Sequence, residues 1–119
     1  MKPVKYAITA YEHASFKKIL RFKDEHDNLI DFTGYTALMH IREDPDNANI
    51  LLELSTENGG LTIDPTLGKI TIFIEEVLEE YAGVYDLLLF SPAGIRYKPI
   101  KTSQFKVIPG VTDEDDIDG

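Results

Sequence analysis

The sequence predicts an all-β protein in which two antiparallel sheets form a single sandwich. Apolar segments with alternating or β-branched residues recur about every eight to twelve residues, with turn-forming residues between them. Residues 84–90 are apolar on both faces apart from Asp86, which is typical of a strand in the middle of a sheet. Only residues 75–81 have helix-like spacing, and this segment is too short for a stable helix. We therefore expect one short helical turn there, where the chain crosses between sheets.

The residues around 84–90 favour an immunoglobulin-like sandwich. Tyr85 follows Gly83, as in a tyrosine corner, where a tyrosine near the start of a central strand bonds to the main chain preceding it. We expect Gly83 to form the turn and the Tyr85 hydroxyl to reach the main chain of residues 78–81. Inward-facing positions predict a core made of Ile70, Ile72, Tyr85, Leu87, Leu89 and Phe105.

In the first half of the chain, strands are predicted at residues 5–11, 15–22, 36–42 and 50–54. The polar run 23–28 has turn chemistry, so a hairpin is expected between the second strand and Leu29. Gly34 interrupts the apolar pattern before the third strand, which indicates a bulge or a sharp bend.

In the second half, strands are predicted at residues 61–63, 69–74, 84–90, 95–98 and 101–108. Residues 69–74 give the clearest strand signal because β-branched residues dominate there. Gly68 is expected to permit the turn before this strand. Pro99 has no N–H to donate to a ladder, so it is expected to break the strand at 95–98 or to mark an edge.

The length and charge indicate one domain followed by an acidic tail. The 119 residues suffice for a single core, which we place in residues 1–111. Residues 112–119 contain five acids and no base, and they are either a solvated end or a segment that docks on a basic partner. The net charge of −9 disfavours contact with phosphate backbones, so no nucleic-acid partner is expected.

Cysteine and hydropathy give expectations about compartment. The chain has no cysteine, so neither a disulfide framework nor a thiolate metal site is available. The N-terminal residues lead into no apolar run of signal-peptide length, and no segment approaches the roughly 20 apolar residues that span a bilayer. We expect a soluble protein made in the cytoplasm, without a membrane partner.

Residue patterns that carry catalysis are missing from the sequence. The three histidines share no metal-ligand spacing, and neither a nucleophile elbow nor a phosphate loop is present. We therefore expect no enzymatic activity, no cofactor and no metal. A partly buried Asp86 needs a partner, and Arg42 is the first candidate for an ion pair with it.

Several short sequence segments, taken together, resemble those of a family of small proteins encoded among the tail and structural genes of tailed bacteriophages. They lie at residues 22–24, 29–35, 39–42, 52–55, 58–60, 68–70 and 83–87. The pattern is an acid, a hydrophobe, Thr-Gly and an aromatic, followed by a strand ending in Ile-Arg and later by Gly-x-Tyr-Asp-Leu. The similarity extends over about residues 16–112, and it includes the N-terminal domains of baseplate proteins that anchor receptor-binding proteins.

The resemblance implies a non-enzymatic structural component of a virion, most naturally of the tail or baseplate, made in the cytoplasm of the host bacterium. Such a protein would be present in many copies or as a homo-oligomer and would bind other virion proteins. A capsid decoration protein is an alternative within the same class. A carbohydrate-binding β-sandwich module is an alternative of another class, although no two tyrosines suited to a sugar face are close in the sequence.

Assembly of this kind directs attention to the sheet edges and the charged termini. Residues 5–11 and 101–108 are expected to form edge strands, which offer unpaired N–H and C=O groups to a neighbour. Lysines lie near both strands, and the tail carries the opposite charge. The candidate interface residues are Lys5, Tyr11, Lys101, Lys106, Asp113 and Asp115.

Overall fold

The structure, a computed structural model, describes residues 2–46, 49–75 and 81–109, with only the main chain of Tyr81. The described residues form strands and a single 3₁₀ turn at Pro65–Leu67. The strands are β1 (Ile8–Tyr11), β2 (Phe16–Arg21), β3 (Thr36–Arg42), β4 (Ile50–Ser55), β5 (Leu61–Asp64), β6 (Lys69–Ile74), β7 (Tyr81–Phe90) and β8 (Arg96–Ile108). The predicted all-β fold is confirmed.

Two sheets pack face to face with the apolar core between them. The larger has the order β1-β8-β7-β3-β4, and the smaller has the order β2-β6-β5. This arrangement corresponds to an immunoglobulin sandwich of the variable type, in which the sheet of strands C, F and G gains a strand C′. Here β3, β4, β7 and β8 take the places of C, C′, F and G, and β2, β5 and β6 those of B, D and E. The described strand pairs are antiparallel with one exception, because β1 runs parallel to β8 and places Ile8 opposite Phe105.

The central position expected for residues 84–90 matches the position of β7. This strand pairs with β3 on one side and with β8 on the other. Tyr85, Leu87 and Leu89 are buried, as are the other predicted core residues, and the residues between them are partly exposed. Phe105 contacts Tyr85 edge to face at 6.0 Å, so the ring pair ties β8 to β7 inside the core.

Gly83 does not form the turn that was predicted before the central strand. The strand begins earlier, at Tyr81, and Gly83 lies within it opposite Phe105. The two other glycines assigned to bends do have backbone conformations that favour glycine, with φ of 79° at Gly34 and 60° at Gly68. The helical turn expected at residues 75–81 falls largely on 76–80, outside the described residues.

The Tyr85 hydroxyl bonds to a different part of the main chain from the one predicted. It donates to the carbonyl oxygen of Tyr6. Tyr6 lies beside Ser103 on β8, with its N–H donating to Ser103 Oγ at 2.9 Å, and Ser103 is the register partner of Tyr85. The chain ahead of β1 therefore supplies the acceptor, and the prediction of residues 78–81 was wrong.

Pro99 was predicted to break its strand or to mark an edge. It does not break the strand, since β8 is continuous through it, and β8 lies between β1 and β7 in the sheet order. The β7–β8 register shifts between Leu87, which lies opposite Ile100, and Leu89, which lies opposite Tyr97, so the proline lies at an irregularity of the ladder, where proline is tolerated. Pro99 and Ile100 are consecutive and both buried, which shows how the shift changes the inward face of the strand. The proline carbonyl accepts the N–H of Val4 at 3.0 Å, which joins the N-terminal segment to the strand.

β2 itself pairs with β6. The predicted hairpin lies just beyond β2 and is short, with one antiparallel bridge between Lys23 and Leu29 and a bond from the N–H of Ile30 to the Phe22 carbonyl at 3.1 Å. The turn between them is held by Asp24, whose N–H and carboxylate both bond to the main chain of residues 26–28. Local turn chemistry was thus identified correctly, whereas the strand partner depends on contacts far along the chain.

Candidate binding surfaces

The part of the chain that the structure describes contains neither a cluster of candidate metal ligands nor a helix suited to crossing a membrane. No three acidic or histidine side chains there converge on a point where a metal ion would be held. None of the described residues belongs to a helix of the length and apolar character needed to cross a membrane. Of the histidines, His40 bonds through Nε2 to Glu53 Oε1 at 2.8 Å on the outer face of the sheet.

Asp86 has Lys98 as its ion-pair partner, where the sequence had suggested Arg42. Lys98 Nζ lies 2.9 Å from Asp86 Oδ2, and both side chains are partly exposed. Lys98 belongs to β8, one neighbour of β7, whereas Arg42 belongs to β3, the other neighbour, and lies opposite Val84. The need for a partner was predicted, but the choice between the two flanking strands was not.

One of the two predicted edges is an edge of the sheet, and the other is not. β1 is the outermost strand of the larger sheet, and Tyr11 at its end is 60% exposed. β8 lies between β1 and β7, and the N–H of Lys101 is already bonded to the Val4 carbonyl at 3.0 Å. Lys5, Lys101 and Lys106 are exposed side chains. Asp113 and Asp115, like the whole predicted tail, lie outside the described residues.

The opposite edge of the larger sheet is formed by β4, which the sequence did not single out. β4 pairs with β3, and no other described strand pairs with it. Ile50 and Leu51 are 43% and 42% exposed. An open apolar edge is a site where another chain can add a strand. The apolar run was visible in the sequence, but its place at an edge depends on the topology.

The outer face of the smaller sheet combines cations with apolar side chains. Lys17, Ile19 and Arg21 of β2 face outward, and Phe73 of β6 lies opposite Lys17. Ile19 and Phe73 are both substantially exposed. The positive charge at this face contrasts with the net charge of −9 of the whole chain. It is a second surface on which an oppositely charged partner would be favoured.

A groove at one end of the sandwich contains two neighbouring tyrosines, and we call it the tyrosine groove. Its volume is about 900 Å³, and it is lined by Lys2, Val4, Arg21, Phe22, Lys23, Asp24, Glu25, Leu29, Ile30, Asp31, Tyr35, Tyr97 and Pro99. The ring centroids of Tyr35 and Tyr97 are 6.3 Å apart. These residues are distant in the sequence and meet because the chain ahead of β3 and the start of β8 reach the same end of the sandwich.

Two aspartates of the tyrosine groove are held in place by their own turns. Asp24 Oδ1 accepts the N–H groups of His26 and Asn28 at 2.9 and 3.0 Å. Asp31 Oδ1 accepts the hydroxyl and the N–H of Thr33 at 2.6 and 2.9 Å. The Thr33 hydroxyl, followed by its N–H, lowers the pKa of Asp31 below its ordinary value, because both bonds favour the carboxylate.

Comparison with known proteins adds no family to this description. Neither a family model nor a curated protein sequence matches the chain.

Proposed function

We propose that this protein is a non-enzymatic structural component of a bacteriophage particle, located in the tail or baseplate and bound to neighbouring virion proteins through its sheet edges. The sequence segments that resemble phage structural proteins suggest this class of protein. The structural observation that supports assembly through an edge is the open apolar strand β4, with Ile50 and Leu51 exposed.

The chemistry of β4 favours the addition of a strand from another protein. Edge strands of monomeric proteins are commonly blunted by lysine, proline or a short length. β4 has six residues, and its one charged side chain, Glu53, is bonded to His40 on the neighbouring strand. A strand from a neighbour would pair with the main chain of β4 and cover part of Ile50 and Leu51. The main chain would supply affinity, and the side chains would supply selectivity.

The edge formed by β1 differs from the β4 edge, because exposed lysines lie near it. β1 is short, and exposed lysines lie before it and on the adjoining strand β8, at Lys5, Lys101 and Lys106. Positive charge at this edge disfavours pairing with a second basic edge and favours an acidic neighbour. The two edges of the larger sheet therefore differ, with β4 suited to apolar strand addition and β1 to a charge-selected contact.

The test is the composition of purified particles made from the genome that encodes this chain. Mass spectrometry should detect the protein in them, and electron microscopy should place it in the tail or baseplate. Its absence from particles would refute a virion role, and a position on the head would replace the tail assignment with capsid decoration.

The edge is tested separately with Leu51→Lys, which places a charge on β4 and should lower incorporation several-fold. The matched control is Leu67→Lys, because Leu67 has nearly the same exposure, 41%, but lies in the 3₁₀ turn. Circular dichroism establishes that both variants fold. Equal incorporation of the two variants would show that β4 is not the contact.

A further inference from the structure

We propose that the tyrosine groove binds a neutral, hydroxyl-rich ligand, namely a short oligosaccharide. This site is separate from the edge strand β4, and binding at it does not depend on a role in a virus particle. Its three components are an apolar platform of two tyrosines, two aspartates held in fixed positions, and a rim whose charges balance.

The groove has the size and setting of a ligand site. Its volume of about 900 Å³ lies within the range of roughly 300–1,000 Å³ that is common for such sites. Apolar residues of three segments line it, with Val4 from the N-terminal segment, Phe22 and Ile30 from the chain after β2, and Pro99 from β8. A concave surface between separate segments removes more of a ligand from water than the flat outer face of a sheet does.

The tyrosine pair provides a rigid apolar surface. The rings of Tyr35 and Tyr97 are inclined at 35°, and Phe32, which is fully buried, contacts Tyr35 edge to face at 5.5 Å. The contact with Phe32 restricts the orientation of the Tyr35 ring. Among the described residues neither tyrosine hydroxyl has a hydrogen-bond partner, so both can bond to a ligand. Aromatic rings with a polar tip combine apolar contact with hydrogen bonding, as a sugar requires.

The two aspartates add directed acceptors. In both Asp24 and Asp31, Oδ1 is used in the local turn. Within the described part of the chain, Oδ2 of each has no partner. Because the turns fix the carboxylates, a ligand hydroxyl that donates to Oδ2 need not immobilise the side chain first. Hydroxyl donors of neutral sugars match these acceptors.

The charge of the rim decides between ligand classes. Three cations, Lys2, Arg21 and Lys23, lie among the lining residues together with three carboxylates, Asp24, Glu25 and Asp31. The rim is therefore neutral overall and does not favour a phosphate or an acidic polymer. A proline-rich peptide also docks on aromatic grooves, but it has few N–H or O–H donors and would desolvate the aspartates without bonding to them. A sugar satisfies both the rings and the carboxylates.

The experiment is a titration of the full chain, labelled with ¹⁵N, with neutral trisaccharides of glucose, galactose and N-acetylglucosamine at millimolar concentration. At least one trisaccharide should shift amide resonances of residues 22–35 and 95–99. Tyr97→Ala should weaken that binding about tenfold or more, because it removes half of the platform. Asp31→Asn, which keeps Oδ1 and replaces Oδ2 by an amide group, should weaken binding as well.

Tyr11→Ala is the matched control, because Tyr11 is 60% exposed and lies outside the groove. It should bind like the unchanged chain, and the amide spectrum of each variant checks its fold. The proposal is overturned by saturable shifts elsewhere on the surface, by no shifts with any of the sugars, or by equal binding of the Tyr97→Ala and Tyr11→Ala variants. A proline-rich decapeptide that occupies the groove in place of the sugars would overturn it in favour of peptide binding.

Discussion

The hydroxyl of Tyr85, in the centre of the larger sheet, donates a hydrogen bond to the main-chain carbonyl of Tyr6, in the segment ahead of the first strand. Ser103, opposite Tyr85 in the register, accepts the N–H of Tyr6 and donates to the carbonyl of Lys101 at 2.7 Å. The hydroxyls of Tyr85 and Ser103 thus bond to the main-chain carbonyl and N–H of Tyr6, at a point where the N-terminal segment is not regularly paired with β8. The N-terminal segment is held to the sheet before β1 begins.

Tyr85→Phe should destabilise the fold and loosen the N-terminal segment. The change removes the donor but keeps the ring, so the expected loss is about 0.5–1.5 kcal/mol, the net value of one hydrogen bond. Burial raises the pKa of Tyr85, with a smaller contribution from Tyr6, so the phenol remains a donor across the neutral range. Urea titration gives the stability, and hydrogen exchange at residues 4–8 gives the local effect. Tyr11→Phe, at an exposed site, is the control. Equal free energies of unfolding for the two variants would show that the Tyr85 hydrogen bond contributes no net stability.

Leu87→Ala tests the central strand. Leu87 is fully buried between the two sheets, so the substitution should cost about 2–5 kcal/mol through lost burial and a residual cavity. Leu51→Ala provides the comparison, because Leu51 is 42% exposed and should change stability by less than about 1 kcal/mol in the isolated protein. Denaturant titration measures both. A loss below about half a kcal/mol at Leu87 would contradict its place in the core.

Local pattern predicted the strands well where the pattern itself determines them. Thr36–Arg42 and Lys69–Ile74 have the predicted bounds, because strict alternation and β-branched residues specify an extended chain with one buried face. The core residues follow from the same alternation. The edge of a sheet is a different kind of property. Whether β8 is an edge depends on β1 pairing with it in parallel from nearly a hundred residues away in the sequence.

The binding surfaces were harder to predict for the same reason. Tyr35 and Tyr97 do not belong to a common sequence motif. Their rings are neighbours because both residues lie at the same end of the sandwich. Asp86 was expected to need a cation, which follows from burial alone, but the choice of Lys98 depends on which strand lies on which side. Composition thus identified the kinds of interaction, and the long-range strand order determined the partners.

Gly68→Ala should destabilise the fold by more than its positive φ alone explains. At Gly68, φ is +60°, and an added Cβ would lie 2.8 Å from the carbonyl oxygen of Phe22 and 3.0 Å from that of Ile30. These are main-chain atoms, so relief requires the chain after β2 to move. Gly59 has φ of +83° and no atom within 4 Å of the same position.

The pair therefore separates backbone strain from crowding. Gly59→Ala should cost about 1–2 kcal/mol from its conformation, and Gly68→Ala should cost clearly more. Thermal and denaturant unfolding of the two variants give the comparison. If Gly68→Ala is no worse than Gly59→Ala, the chain after β2 is not packed against the turn as closely as the structure indicates.

A double-mutant cycle should assign the partner of Asp86. Asp86→Asn and Lys98→Met each break the 2.9 Å ion pair, and their coupling should be about 0.2–1 kcal/mol, because both side chains are partly exposed. Lys101→Met serves as the control, since Lys101 lies on the same strand but makes no ion pair with Asp86 among the described residues. Added salt should reduce the coupling. Strict additivity of Asp86 with Lys98, or a larger coupling with Lys101, would contradict the assignment.

Acid titration should show a carboxylate whose pKa is lowered by its own turn. The folded-state pKa of Asp31 lies below the ordinary value of 3.8, because Thr33 donates to the ionised form. A lowered pKa means that the contribution to stability is present above the unfolded-state pKa and is lost as the pH falls through the folded-state pKa, so the affected window lies below about pH 4.

Thr33→Val removes the hydroxyl donor but keeps the N–H, and it should raise the pKa of Asp31 part of the way toward 3.8. Carboxylate ¹³C shifts followed by NMR measure the change, with the unchanged chain as the reference. An unchanged pKa of Asp31 in Thr33→Val would mean that the hydroxyl does not stabilise the ionised carboxylate, and the N–H of Thr33 would then be the bond that holds Oδ1.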